Sequence, residues 1–208
     1  MVVGVILAAG KSTRFGTDKR KSILPNGRSV LEQTISNARA SLDQILVVLR
    51  ATDQQFADEL ATRFNDPAIS YFLAPDSADG MAHSLANAIN HLVVEEYSVE
   101  GSMIFLGDMP YLNTATISLL LTAFNKHKSN APIVVPTILK TDSGGSATTV
   151  PGHPVIFSST YFPELAKLTG DTGAKKVIGA NSAKVVRVSV EDAGVLKDVD
   201  KPSDIEAT

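Results

Sequence analysis

The sequence predicts a single α/β domain: a Rossmann-like three-layer sandwich, with a mostly parallel sheet and helices on both faces. Three observations lead there. Apolar, β-branched runs of strand length alternate along the chain with longer amphipathic stretches, the pattern of parallel strands joined by crossover helices. The chain has 208 residues, 44% of them hydrophobic, enough for a substantial core within one domain. No internal repeat, low-complexity tract or linker divides it, so residues 1–208 are expected to form one unit.

The elements follow in order. Val2–Leu7 is the first strand and runs into a loop of small residues, Ala8, Ala9 and Gly10, followed by a basic run with Arg14, Lys19, Arg20 and Lys21. A helix starts after Ser29, which is a plausible N-cap because Glu32 stands three residues on, as a capping box requires. A strand at Gln44–Arg50, a helix from about Asp53 to Phe64 and a strand at Ile69–Ala74 come next. A helix near Gly80–Val94 precedes a strand at Ser102–Gly107, and another helix runs from about Asn113 to Lys128. Strands are expected at Ala131–Thr137 and Val155–Ser158, short helices from near Phe162 and near Thr172, and a last strand at Ala183–Val190. The stretch "LKTDSGGSATTV", Leu139–Val150, reads as a flexible loop over about 139–151.

Composition excludes several function classes. A net charge of -3 leaves no electrostatic footprint for nucleic acid. The absence of cysteine rules out disulfides and thiolate metal sites and is compatible with a cytoplasmic protein. Val2–Ala9 is apolar but lacks the basic flank and cleavage site of a signal peptide, so a buried strand is expected there. No apolar run approaches the roughly 20 residues that span a bilayer.

Gly10-Lys11-Ser12 resembles the end of a P-loop, but the spacing fails. That motif needs a glycine, four residues and then Gly-Lys-Ser/Thr; the position required for the first glycine is Val5, and the real glycine, Gly4, is one residue too early. What remains is a strand opening into small residues that admit a ligand close to the backbone, beside cations able to meet phosphate oxygens. A solvated basic loop is the plainer reading of the same run.

Ligands of open α/β sheets bind beyond the C-terminal ends of the strands. The loops there hold Asp76 and Asp79 after the third strand, Asp108 in Gly107-Asp108-Met109-Pro110, and Asp198 and Asp200 before Pro202. Carboxylates without thiolates suit a hard cation such as Mg²⁺, which prefers one or two carboxylates and substrate phosphates. A single such aspartate is commonly a turn or cap residue; several converging on one rim are not. His83, His91 and His127 fall on helices and read as packing or surface residues.

The string Leu7-Ala8-Ala9-Gly10-x-Ser12-x-Arg14-Phe15-Gly16 resembles the nucleotide loop of nucleotidyltransferases that activate sugars, isoprenoid precursors and pterin cofactors. Further strings narrow the resemblance: "GMAHSLANAI" (Gly80–Ile89), "GDMP" (Gly107–Pro110), "GHPVIF" (Gly152–Phe157), "LTGDTGA" (Leu168–Ala174) and "DVDKPSD" (Asp198–Asp204). Together they are similar to the molybdenum cofactor cytidylyltransferase and related MobA-like nucleotidyltransferases, along essentially the whole chain. The resemblance implies that Leu7, Ala8, Ala9 and Gly10 line base and ribose, with Gly80, Met81 and Ser84 closing over the base. It implies that Arg14 and one of Lys19 and Lys21 bind the triphosphate, and that Asp108 and Asp200 hold Mg²⁺. Gly152, His153, Pro154 and Asp171 would face the acceptor. Ala9, where guanylyl enzymes of the family tend to carry glycine, leans towards CTP over GTP.

On that resemblance the expected reaction is attack by an acceptor phosphate on the α-phosphorus of a nucleoside triphosphate, with pyrophosphate leaving. Molybdopterin is the expected acceptor and a recipient molybdoenzyme a possible partner. The nucleophile is already an anion, so His153 is not needed as a base. A sugar phosphate acceptor, use of GTP, and a non-catalytic cofactor carrier or chaperone stay open; paired carboxylates at Asp108 and Asp200 count against the carrier. Asp108 and Asp200 are expected to share one ion at a separation below roughly 8 Å. Asp198 is expected to face away from them and to tolerate Asn.

Overall fold

A computed structural model describes residues 1–10, 15–75, 80–94, 98–141, 145–170 and 173–205. Strands are β1 (Val2–Leu7), β2 (Ile45–Arg50), β3 (Ile69–Ala74), β4 (Gly101–Leu106), β5 (Ile133–Thr141), β6 (Ala147–Pro151), β7 (Val155–Ser158) and β8 (Val185–Ser189). Helices are α1 (Val30–Arg39), α2 (Gln54–Phe64), α3 (Met81–Val94), α4 (Thr114–His127), α5 (Phe162–Leu165) and α6 (Lys175–Ala180). They form an eight-stranded sheet of order β3-β2-β1-β4-β7-β5-β6, with β8 pairing on β5. Pairs β1–β2, β2–β3, β1–β4 and β5–β8 are parallel, while β7 runs antiparallel to both β4 and β5. Among the described residues no helix is long and apolar enough to cross a membrane.

Residues alternate between the two faces of the sheet, as the pleat requires. Val3, Val5 and Leu7 of β1 belong to one apolar cluster, with Ala82, Leu85 and Ile89 of α3 and Leu165 of α5. Ile6 belongs to the other, with Leu31 and Ile35 of α1, Leu60 of α2 and Phe124 of α4. Both faces are therefore covered, which is why the strands read as continuous apolar runs. At Ser29 the capping box is formed as expected: the Ser29 hydroxyl accepts from the Glu32 N–H and the Glu32 carboxylate from the Ser29 N–H. His91 stacks on Phe72 with ring centroids 4.6 Å apart, a packing contact.

The stretch read from sequence as a flexible loop is different. β5 continues to Thr141 and pairs antiparallel with β6, from Thr137 opposite Pro151 to Thr141 opposite Ala147. Strand-forming Thr148, Thr149 and Val150 answer Lys140, Leu139 and Ile138 across the ladder, which glycine and serine content alone hid. Ile133 and Thr137 of β5 each pair with β8 as well as with β7 or β6, so β6 and β7 lie along the same edge of β5. They are in effect one strand, interrupted at Gly152-His153-Pro154. The interruption sits at the rim formed by the C-terminal ends of the parallel strands.

Candidate functional site

The loop leaving β1 is held from behind by charge. The Ala8 N–H donates to the Val48 carbonyl at 2.9 Å, and the Ala8 carbonyl accepts from Arg20 Nη1 at 2.8 Å. Arg20 is 3% exposed and lies between two carboxylates. Its Nε and Nη2 donate to Asp18 at 2.8 and 2.6 Å, and its Nη1 to Asp53 Oδ2 at 2.5 Å. Burial opposes the charge on Arg20, but Asp18 and Asp53 outweigh it and raise its pKa. Burial likewise raises the Asp18 carboxyl, but Arg20 and Arg50 outweigh this and hold it below its ordinary value. The guanidinium of Arg50 donates to the Gly10 carbonyl. Leu7, Ala8 and Ala9 are buried while Gly10 is exposed, so the strand end is fixed up to the point where a ligand can meet it.

Asp108 follows β4 by one turn residue. The Gly107 N–H donates to the Leu7 carbonyl at 2.9 Å, and a Cβ on Gly107 would lie 2.8 Å from the Ala8 Cβ, so only glycine lets these two strand ends approach so closely. The Asp108 carbonyl then accepts from the Val199 N–H at 2.9 Å, which ties the distant C-terminal segment to the end of β4. Val199 is fully buried with Phe15, Leu24 and Val30. With Val199 pointing inward, its neighbours on either side share the opposite face.

Accordingly Asp198 joins the site. Asp108, Asp198 and Asp200 each offer a carboxylate oxygen, all within 4.8 Å of one another. The expectation that Asp198 faces away is corrected, because residues two apart in extended chain lie on the same side. Asp204 fixes the turn beyond by accepting from the Asp200 and Lys201 N–H groups at 2.9 and 2.7 Å. Lys19 Nζ reaches into the cluster, 2.5 Å from Asp108 Oδ2 and 3.0 Å from Asp200 Oδ1. Burial pulls the Lys19 pKa down; the hydrogen bonds and charges of Asp108 and Asp200 more than offset this and hold it above its ordinary value.

The donor set fits a hard divalent cation: three carboxylates and no sulfur. One atom fits it further. Asp108 Oδ1 is buried and finds no hydrogen-bond partner among the described residues, a costly state for an anionic oxygen that a cation would relieve.

The remaining candidates divide. Lys21 does not approach the acids: its Nζ lies 3.7 Å from Glu59 and 4.5 Å over the ring of Phe56 on α2. Lys19 and Lys21 diverge within the single turn of 3₁₀ helix at Lys19–Lys21, so of the two it is Lys19 that meets Asp108 and Asp200. Gly152 and His153 stand at the interruption between β6 and β7. The Gly152 N–H donates to the Pro136 carbonyl and the His153 N–H to the Val195 carbonyl, at 2.9 and 2.8 Å, and the peptide to Pro154 is cis. A Cβ on Gly152 would lie 2.4 Å from the Val195 carbonyl oxygen. Burial lowers the His153 pKa against the pull of Asp108 and Asp198 and of the Ile104 carbonyl, so the imidazole is neutral near pH 7. Gly80, with φ of 119°, opens α3, Met81 is half-exposed there, and Ser84 is buried one turn on. Arg14 and Asp171, and the loop with Asp76 and Asp79, lie outside the described residues.

Sequence reasoning missed the Asp18-Arg20-Asp53 bracket. Asp53 lies 33 residues beyond Arg20, and nothing local distinguishes Arg20 from the cations beside it. A groove of about 720 Å³ between the starts of α1 and α2, lined by Lys21, Ile23, Glu32, Phe56, Glu59 and Arg63, is roomier than the cleft of about 380 Å³ beside Asp198 and Asp200. The groove carries charges of both signs, and among the described residues its carboxylates do not come together as those of Asp108, Asp198 and Asp200 do beside the smaller cleft.

A family model described as "MobA-like NTP transferase domain" matches residues 4–185. The chain is 28% identical to the purine catabolism protein PucB of Bacillus subtilis, over 98% of this chain and 93% of PucB. It is 27% identical to a probable molybdenum cofactor guanylyltransferase of Natranaerobius thermophilus, over 66% of this chain and 60% of the relative. Among solved structures, Rv0371c of Mycobacterium tuberculosis superposes with a TM-score of 0.72 at 28% identity, covering 98% of this chain and 95% of that one. The same protein solved in complex with manganese gives 0.68 at 26% identity, over 98% and 95%.

Proposed function

Because the chain belongs to the MobA-like NTP transferase family and is a nucleotidyltransferase, we propose that it moves CMP from CTP onto the phosphate of molybdopterin or its molybdenum-bearing form, releasing pyrophosphate with the help of Mg²⁺. The observation that carries this reading is the convergence of Asp108, Asp198 and Asp200 with Lys19 at the rim where the loop from β1 ends. The manganese complex of the Rv0371c protein supports the use of a divalent cation, and the relative named as a probable molybdenum cofactor guanylyltransferase supports the acceptor.

In this reading Leu7 to Gly10 receive the nucleoside, and Asp108 and Asp200, with Asp198, hold a divalent cation. A cation held by these residues would supply neutralisation of phosphate charge. The protein's own groups do the rest. Lys19, and Arg14 by resemblance, stabilise the departing pyrophosphate. Gly152-His153-Pro154 presents backbone and a neutral imidazole to the acceptor, with Asp171 as its companion by resemblance. No proton needs removal from an anionic phosphate, so positioning and charge stabilisation supply most of the acceleration. The loop carbonyls tied to Arg20 and Arg50 cannot swing, which keeps the nucleoside seat in one place.

The base preference rests on Ala9, which is buried beside the strand end. One methyl group is worth about 1–3 kcal/mol of discrimination in such a pocket. The test is pyrophosphate release with CTP or GTP, in Mg²⁺, with molybdopterin and a panel of phosphorylated acceptors, on the wild type and Ala9→Gly. CTP with molybdopterin should be fastest, and Ala9→Gly should narrow the gap to GTP. Faster turnover with GTP overturns the base assignment, and release only with another phosphate overturns the acceptor.

A further inference from the structure

We propose that the Lys19 ammonium is the resting occupant of the cation seat, and that a divalent cation enters only as a triphosphate draws Lys19 away. The proposal rests on the metal-dependent reading above and concerns how the site fills. Lys19 Nζ lies 2.5 Å from Asp108 Oδ2 and 3.0 Å from Asp200 Oδ1, between the two carboxylates that would ligate the ion. Mg²⁺ coordinates oxygen at about 2.0–2.1 Å and demands near-octahedral geometry. An ammonium on those oxygens and a dication on the same oxygens exclude each other by charge and by space.

The arrangement has a stable resting state and a built-in release. The turn that carries Lys19 is fixed on both sides: Asp18 caps it by accepting from the Arg20 N–H, and Arg20 is buried against Asp18 and Asp53. Only the four-carbon stem of Lys19 is free to swing. A triphosphate arriving at the end of β1 offers the ammonium a denser set of oxygens than two carboxylates do. Once Lys19 has moved, Asp108 and Asp200 lose a cation from between them, and the mutual repulsion of three close carboxylates favours its replacement by a dication. Nucleotide and metal binding are thereby coupled, and the coupling is reciprocal.

The test is Mn²⁺ binding without nucleotide, followed by loss of the free-ion electron paramagnetic resonance signal, on the wild type, Lys19→Met, Lys19→Gln and Lys19→Arg, each checked for an unchanged melting curve. Removing a charge in contact with a carboxylate should tighten Mn²⁺ binding by about tenfold in the Met and Gln variants, and Lys19→Arg should bind as weakly as wild type. Equal or weaker binding in both neutral variants overturns the proposal, and so does wild-type binding as tight as theirs. Transfer activity measured on the wild type separates the two readings. Metal-dependent pyrophosphate release without the tightening removes the Lys19 role alone, whereas no release with any triphosphate and acceptor removes the transferase assignment on which it rests.

Discussion

At the level of single residues, the site shows what spacing alone can and cannot say. Asp108 and Asp200 were visible as carboxylates just past strand ends, beside stiff turns. The role of Asp198 was not read correctly, because its direction depends on Val199 being buried with Phe15, Leu24 and Val30, contacts invisible in a local string. The choice between Lys19 and Lys21 was open for a similar reason: only the fold shows that one meets Asp108 and the other Phe56. The corrected geometry makes a prediction opposite to the one drawn from sequence. Asp198→Asn should weaken Mn²⁺ binding in the presence of nucleotide, and Asp108→Asn should cost at least about 10²-fold in turnover, as removal of a charge-stabilising group does. Both should melt close to wild type, since neither side chain contributes to the core. Calorimetric metal titration and steady-state rates check this, and an Asp198→Asn protein with unaltered metal affinity would return that residue to the periphery.

Among the elements, the strands and helices up to β4 could be read almost to their ends, because each run shows its own period and, at Ser29, its own cap. The hairpin of β5 and β6 could not. Its strands are held by pairing with each other, and the residues between them are the turn formers that made the stretch read as loose. Gly152-His153-Pro154 precedes a strand, so the rule that ligands bind past strand ends does not find it; β7 runs against β4 and brings to the rim the residues before it. Two predictions belong here. Gly152→Ala should destabilise the protein by about 1–3 kcal/mol, the usual cost of overpacking, because its Cβ would meet the Val195 carbonyl, which is backbone. Denaturant unfolding measures it, and a change within experimental error would show that the turn at Val195 yields. The second concerns Asp18: burial raises its carboxyl, but Arg20 and Arg50 outweigh this and hold it below the ordinary value of 3.8. With the folded pKa depressed, the unfolded chain takes up protons first as pH falls, so the stabilisation is complete above about pH 4 and is lost below it. Asp18→Asn should therefore melt lower than wild type at pH 7, by the equivalent of about 1–3 kcal/mol, and the gap should close below pH 3.8. A gap that stays constant with pH would mean that the charge on Asp18 contributes nothing.

Across the whole molecule, one strand decides whether there is one sheet or two. β1 to β4 make a ladder of order β3-β2-β1-β4, while β5 carries β6 and β8. Among the described residues, the strand that joins these groups is β7, four residues long, through Met103 opposite Ile156 on one side and Val134 opposite Ile156 on the other. Asp108 hangs from the first ladder and Gly152 from the second, yet the strand that unites them is translated after both. A chain lacking Val155–Ser158 would hold both groups of strands without the ladder that joins them. The site is consequently a late product of synthesis. The emerging chain acquires its acidic segment at Asp198–Asp200 only after β7 and β8 have been made, so partly made copies hold the loop from β1 and Asp108 without Asp198 and Asp200.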